Sequence, residues 1–335
     1  MNNFKFVSGE AIKAILANRH SKNIKDVEKA YLAHLDGQTV NPDSYFLRFP
    51  DNSNNRIIAL PASVKADVQV SGIKWIASFP SNTKAGLKRA SAVLILNDQQ
   101  TGYPFACLEG SLISAARTAA SAVLGAFWLK NKSRIARSIA FVGAGIIARS
   151  ILETFSADDW EFNKVSVHDL DTTTAMSFAS AAADCFPEAK SVKITQSIDD
   201  ALSAEIVVFA TNASSPYVEK PLAFRPGQIV LNISLRDIAP ELILESNNLF
   251  DDVEHCLKAN TSPHLAEILV TDRRFVTGTL AELIRGHIEI DQTKPTVYSP
   301  FGMGILDLTL GKSVFDEACA RGVAIPVPNF FPEVV

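Results

Sequence analysis

From Ser138 to Val276 the chain alternates short, mostly apolar runs with segments of helical length. The runs are SIAFVG (138–143), KVSVHD (164–169), SVKIT (191–195), EIVVFAT (205–211), QIVLNIS (228–234) and RRFVTG (273–278). Near-continuous apolar strands separated by helices are what a parallel sheet covered on both faces requires. The pattern predicts a doubly wound Rossmann sheet of six strands, assigned to residues 131–299.

Residues 1–130 follow another rhythm. Helical stretches near 9–17 and 24–35 precede the strand candidates YFLRF, NRIIALP, VSGIKWIASF and SAVLILND, which suggests a separate α+β domain. QQTGYP (99–104) supplies a turn, and SLISAARTAASAVLGAFWL predicts a long helix leading into the Rossmann unit. GMGILDLTLGKSVFDEACARG (302–322) predicts a final helix that returns to the first domain, so that residues 300–335 complete it. The expected fold class is α/β, a Rossmann sheet plus an α+β domain.

Composition narrows the function. A chain of 335 residues, 47% hydrophobic and 20% charged, can bury two domain cores. The formal net charge is -4 and no block of like charges occurs, which argues against nucleic acid and against an anionic membrane surface. A small molecule is the expected partner. MNNFKFVSGEAIKAIL lacks the apolar core of a signal peptide, and the apolar run 118–130 is short for a bilayer, so a cytoplasmic location is expected. Cys107, Cys185, Cys256 and Cys319 form no CxxC pair, and His255, Cys256 and His264 lack ligand spacing; no metal is expected.

IAFVGAGIIARS (139–150) sets a GxGxxA turn between a hydrophobic strand and a helix. Such a turn needs Gly143 for its backbone angles and Gly145 so that a pyrophosphate can approach the amides at the helix start. Gly143, Gly145, Ile146 and Ile147 are therefore expected cofactor contacts, with Ala148 allowing close packing. Asp169 closes the next strand where a carboxylate grips ribose hydroxyls, and no arginine follows it in HDLDTTTAM, so NAD is expected rather than NADP. Asp171 takes that role if the strand ends two residues later. Thr211 and Asn212 fall at the carboxyl end of EIVVFAT, where a doubly wound sheet holds its ligand.

One lysine interrupts an apolar strand, Lys74 in SGIKWIASF. Its stem could lie along apolar surface with the charge in water, or it faces an anionic ligand. Arg48 and Arg56 flank the neighbouring strands and Arg117 lies in the apolar helix; guanidinium forks suit carboxylates. Ordinary pairing with Glu109, Asp98 or Asp67 is the other reading. Asp237 ends QIVLNISLRD, placed to take a proton from an amine or to activate water, unless it only caps the helix APELILES. Arg236 either joins it or is a loop charge.

In order, SGIKWIASF, TGYP, RTAASAV, VGAGIIA, LNISLRD and GMGILDL resemble the ornithine cyclodeaminase/mu-crystallin family over nearly the whole chain. The resemblance implies an NAD(P)-dependent enzyme acting at amine or imine carbons, without metal, with a first domain that holds substrate and forms a homodimer. It implies that Lys74 and Arg48 contact the substrate carboxylate, that Arg117 contacts the cofactor, that Ser91 supplies a hydroxyl near it, and that Asp237 is the catalytic acid/base. SLRDIAPE stands in place of the cyclodeaminase GGDCPGK-like stretch and Pro300 in place of a serine, which speaks against ornithine cyclisation. KRASAVLILND, EGSLISAARTAA, NISLRD and PFGMG resemble a branch that oxidises a secondary amine bearing three carboxylates, releasing 2-oxoglutarate and L-2,3-diaminopropionate for siderophore assembly. Arg48, Arg56 and Lys74 would suit such a substrate.

Overall fold

The computed structural model describes residues 4–332, which divide into two compact units, 4–117 with 303–332, and 118–302. The first unit opens with β1 (Lys5–Val7), α1 (Gly9–Leu16), α2 (His20–Leu35), β2 (Thr39–Val40), β3 (Tyr45–Phe49), β4 (Asn52–Val64) and β5 (Val70–Ser78). After a 3-10 turn come β6 (Ala90–Asn97) and β7 (Pro104–Glu109), and then α3 (Gly110–Leu129), within which the unit boundary falls. The structure adds β1, β2 and β7 to the strands expected here. β7 was hidden because PFACLE begins with a proline and runs straight into the helix.

The second unit contains β8 (Ile135–Val142), α4 (Ile146–Ala157), β9 (Glu161–His168), α5 (Thr172–Cys185), β10 (Ser191–Ile194), α6 (Ile198–Leu202), β11 (Ile206–Phe209) and β12 (Ile229–Asn232). It continues with α7 (Pro240–Leu244), β13 (Asn247–Phe250), α8 (Val253–Cys256), α9 (Ser262–Val270), β14 (Val276–Thr279), α10 (Leu280–Arg285) and β15 (Thr296–Ser299). The chain then returns to the first unit with α11 (Gly304–Ala320) and β16 (Ile325–Pro326).

The sheet of the second unit is wholly parallel, in the order β10-β9-β8-β11-β12-β15-β13-β14, so it has eight strands rather than six. The two unforeseen strands are four-residue segments, NNLF and TVYS. The paired asparagines of NNLF are both buried: the Asn247 amide donates to the Asp291 carbonyl at 2.9 Å and that of Asn248 to the Ile243 carbonyl at 2.7 Å. Helices on the sheet close a core around Val207, Phe209, Val230 and Ile243. Each such side chain contributes about 1.5–3 kcal/mol by leaving water.

The first unit's sheet runs β16-β1-β7-β6-β5-β4-β2, with β3 beside β4. Its two faces follow from the period of two. Lys74 pairs with Leu60 on β4 and Leu94 on β6, both buried, whereas its neighbour Trp75 pairs with Ala59 and Val93 and is 40% exposed. The lysine thus lies on the core face and the tryptophan does not, the reverse of what their chemistry suggests. α11 packs on β4, β5 and β6, so closely that a Cβ on Gly311 would meet Leu94 Cδ2 at 2.1 Å.

At 20 residues α3 is longer than the expected apolar run, and by length and composition it could cross a membrane. Its most apolar window is 72% buried inside the protein, as in the core helix of a globular domain.

Candidate active site

In the second unit, β8 delivers the chain to the glycine turn. Gly143 has φ 92°, and a Cβ there would lie 2.6 Å from the Ala210 carbonyl oxygen, so no side chain fits. Gly145 is the N-cap of α4 and makes no side-chain cap; a Cβ on it would meet only open space. The first amides of α4 therefore point, uncapped, into room that a pyrophosphate could fill. Ile146 is 58% exposed, Ile147 partly buried, and Ala148 fully buried. This turn fits a dinucleotide.

Asp169 follows β9, and its carboxylate accepts the Ala144 N–H at 2.7 Å and the Asp171 N–H at 2.9 Å. It clamps the glycine turn to the end of β9, a structural duty the sequence did not reveal. Asp171 is spoken for: it caps α5 by accepting the Thr174 N–H at 2.7 Å.

Asp237 does not end a strand. β12 stops at Asn232, and Asp237 sits in the following loop, fully buried. Nor is it a helix cap, since Ala239 occupies that position before α7. The loop is fixed by the Tyr217 and Val218 amides, which donate to the Asp237 carbonyl at 3.0 and 2.9 Å. Three hydroxyls aim at the carboxylate: Thr211 and Tyr217 donate to Oδ1, the latter at 2.9 Å, and Ser234 donates to Oδ2. Burial and the facing carboxylate push the Tyr217 phenol upward, so it stays a donor. Thr211, expected to face the cofactor, thus has its hydroxyl engaged by Asp237, while Asn212 is exposed at the carboxyl edge of the sheet. Arg236 donates to the Ala259 carbonyl at 2.9 Å.

In the first unit, Lys74 is 2% exposed and donates to Asp307 Oδ2 at 2.6 Å and to Ser114 Oγ at 3.1 Å. Arg117 donates from Nε to Asp307 Oδ1 at 3.3 Å. The lysine stem does not carry its charge to water, so that reading fails. Two cations surround one buried carboxylate, and the triad carries one net positive charge. Burial lowers the Lys74 ammonium to about 8, against the partial compensation of Asp307. Burial alone would raise Asp307, but Arg117 and Lys74 outweigh it and hold the carboxyl below its usual range. Asp307 escaped the sequence reading because it lies 233 residues from its partner, in a helix that reads as apolar.

The other acids considered for these cations have other work. Glu109 caps α3, accepting the Ser111 and Leu112 amides at 2.8 and 3.0 Å; Asp98 accepts the Thr101 amide at 2.8 Å; Asp67 approaches Lys29 at 3.9 Å. Arg48 and Arg56 face each other across β3 and β4, on the same side of the sheet as Lys74, and Arg56 pairs with Ser78. Ser78 lies four positions along β5 from Lys74, about 13 Å. Ser91 pairs with Ala77, on the opposite, exposed side. Strand alternation therefore puts Ser91 on the face opposite Lys74.

The chain is similar to known proteins over most of its length. The profile of the ornithine cyclodeaminase/mu-crystallin family matches residues 10–322. The chain is 29% identical over 316 residues to the N-((2S)-2-amino-2-carboxyethyl)-L-glutamate dehydrogenase of Staphylococcus aureus, covering 91% of this chain and 92% of that one. It is 27% identical over 298 residues to a Delta(1)-pyrroline-2-carboxylate reductase of Bacillus cereus, covering 85% and 88%. Among solved structures, the Thermococcus litoralis Delta(1)-pyrroline-2-carboxylate reductase in complex with NADH and L-proline superposes with a TM-score of 0.88 at 23% identity, over 97% of this chain and all of that one. By its residues and by its fold, the chain belongs to the ornithine cyclodeaminase/mu-crystallin family.

Proposed function

We propose that the protein catalyses the NAD-dependent oxidation of N-((2S)-2-amino-2-carboxyethyl)-L-glutamate, releasing 2-oxoglutarate and L-2,3-diaminopropionate, the latter for siderophore or peptide assembly. It is an oxidoreductase acting on CH-NH donors, with NAD as cofactor and no metal role assigned. The observation that carries the reading is the Lys74, Arg117 and Asp307 triad: a buried site with one surplus positive charge calls for an anionic group on its ligand. Arg48 and Arg56, on the same sheet face, suit a substrate with further carboxylates.

Bound NAD supplies the hydride acceptor, held by Gly143, Gly145, Ile146, Ile147, Asp169 and Asn212. Lys74 and the arginines orient the substrate through its carboxylates. Arg117, placed in the triad, serves the substrate carboxylate as well as the cofactor. Asp237 takes the proton from the secondary amine nitrogen at a carboxylate oxygen as the hydride leaves the α-carbon, and returns it to the imine nitrogen. It then takes one from the water that adds to the imine carbon and gives it to the nitrogen as the C–N bond breaks. Thr211, Tyr217 and Ser234 keep that carboxylate in one orientation.

The protein acts as a homodimer through the outer face of the first unit's sheet. Tyr45, Trp75 and Val93 lie in one row there with Ala59 between them, each exposed by 40% or more, and Leu47 adjoins them at 48%. Such a row is a surface that a partner covers.

The test is incubation of the protein with NAD and the proposed amine. Equimolar NADH and 2-oxoglutarate are expected. Absence of both, or formation of proline from a cyclic imine with NADH as the Bacillus cereus relative's name would suggest, overturns the assignment.

A further inference from the structure

Arg89 lies in the turn before β6, half-buried, and donates from Nη1 to Ser78 Oγ at 2.9 Å. Ser78 is 8% exposed and pairs in register with Arg56, which in turn faces Arg48. Three guanidinium groups therefore gather at one end of the sheet, on the face that carries Lys74.

Building on the function proposed above, we propose that Arg89, together with Arg56, binds a second carboxylate of the substrate and so selects amines with an acidic side chain over monocarboxylic ones. The charge balance points to this. The buried Arg19, by contrast, is supplied with acids: it reaches Asp26 at 2.9 Å and Glu317 at 3.3 Å. Among the described residues no carboxylate pairs with Arg89, and a neutral serine hydroxyl is its hydrogen-bond acceptor. Burial lowers its pKa with no acid to offset the cost. A guanidinium with five donors in that state lacks an anion.

The spacing sets the ligand's shape. Ser78 and Lys74 are separated by about 13 Å of strand, a gap that long arginine side chains narrow but that one carboxylate cannot bridge. An extended molecule with an acid at each end reaches both. A phosphate of the cofactor is the other anion that could meet Arg89, and the test separates the two.

Binding of 2-oxoglutarate and 2-oxobutyrate to the NADH-saturated protein, measured by calorimetry, reads the second carboxylate without requiring turnover. The wild type is expected to prefer the diacid. Arg89→Met should weaken 2-oxoglutarate about 10- to 100-fold, leave 2-oxobutyrate and NADH unchanged, and be partly rescued by Arg89→Lys. Unchanged 2-oxobutyrate binding also reports that the variant is folded. The proposal is overturned if the wild type shows no preference, if both keto acids weaken equally, or if NADH binding falls instead. A wild type that discriminates the diacid but forms no NADH from the proposed amine would sink the reaction assigned above and leave this subsite standing.

Discussion

Asp237 has no solvent exposure, yet three hydroxyls converge on it, which is more than a loop acid needs for stability. Asp237→Asn preserves shape and most hydrogen bonding but cannot hold a transferred proton. Turnover is expected to fall on the order of 10²- to 10⁴-fold, with NADH affinity unchanged in a fluorescence titration; a variant as active as wild type would remove Asp237 from the chemistry. Lys74 gives a pH signature. Below about 8 it is protonated and the triad is positive; as pH rises through about 8 the surplus charge vanishes, so 2-oxoglutarate affinity should decline there, and should not in Lys74→Met. The folded value lies below the ordinary 10.5, so the unfolded chain binds more protons between the two, and this group's contribution to stability grows with pH across that window. Lost affinity would therefore not reflect unfolding caused by Lys74. Lys74 stood out as a charged residue in an apolar strand, and Asp237 as the acid that closes the run QIVLNISLRD. Asp307, Tyr217 and Ser234 did not, because their meaning lies in contacts made through the fold.

The elements divide along the same line. The GxGxxA turn was readable from its residues because strand, glycines and helix are contiguous, and Gly145 offers a direct check on its purpose. A Cβ there meets nothing in the protein, so Gly145→Ala should cost the cofactor-free protein no more than about 1 kcal/mol, from a poorer helix cap, while raising the NADH dissociation constant at least tenfold. Equal NADH binding in that variant would mean that the space serves no pyrophosphate. β13 and β15 escaped notice because four-residue strands in the middle of a sheet draw their stability from neighbours on both sides, and buried asparagines can replace apolar residues when carbonyls are there to receive them. The face of Ser91 was not legible for a simpler reason: one residue along a strand reverses it.

At the scale of the molecule, the apolar row through Tyr45, Trp75 and Val93 makes the dimer testable. Trp75→Glu should shift the protein to a monomer in sedimentation equilibrium, with its fold retained by circular dichroism, because the residue lies on the outer face. A variant that sediments as wild type would place the contact elsewhere. The return of α11 to the first unit has a further consequence, for synthesis. The second unit is continuous in sequence and can close as it leaves the ribosome, whereas the ammonium of Lys74 waits for a counter-charge encoded 233 residues later. Until that helix arrives, the strands around the lysine have a cation where their core should be, and the nascent chain must keep them wet.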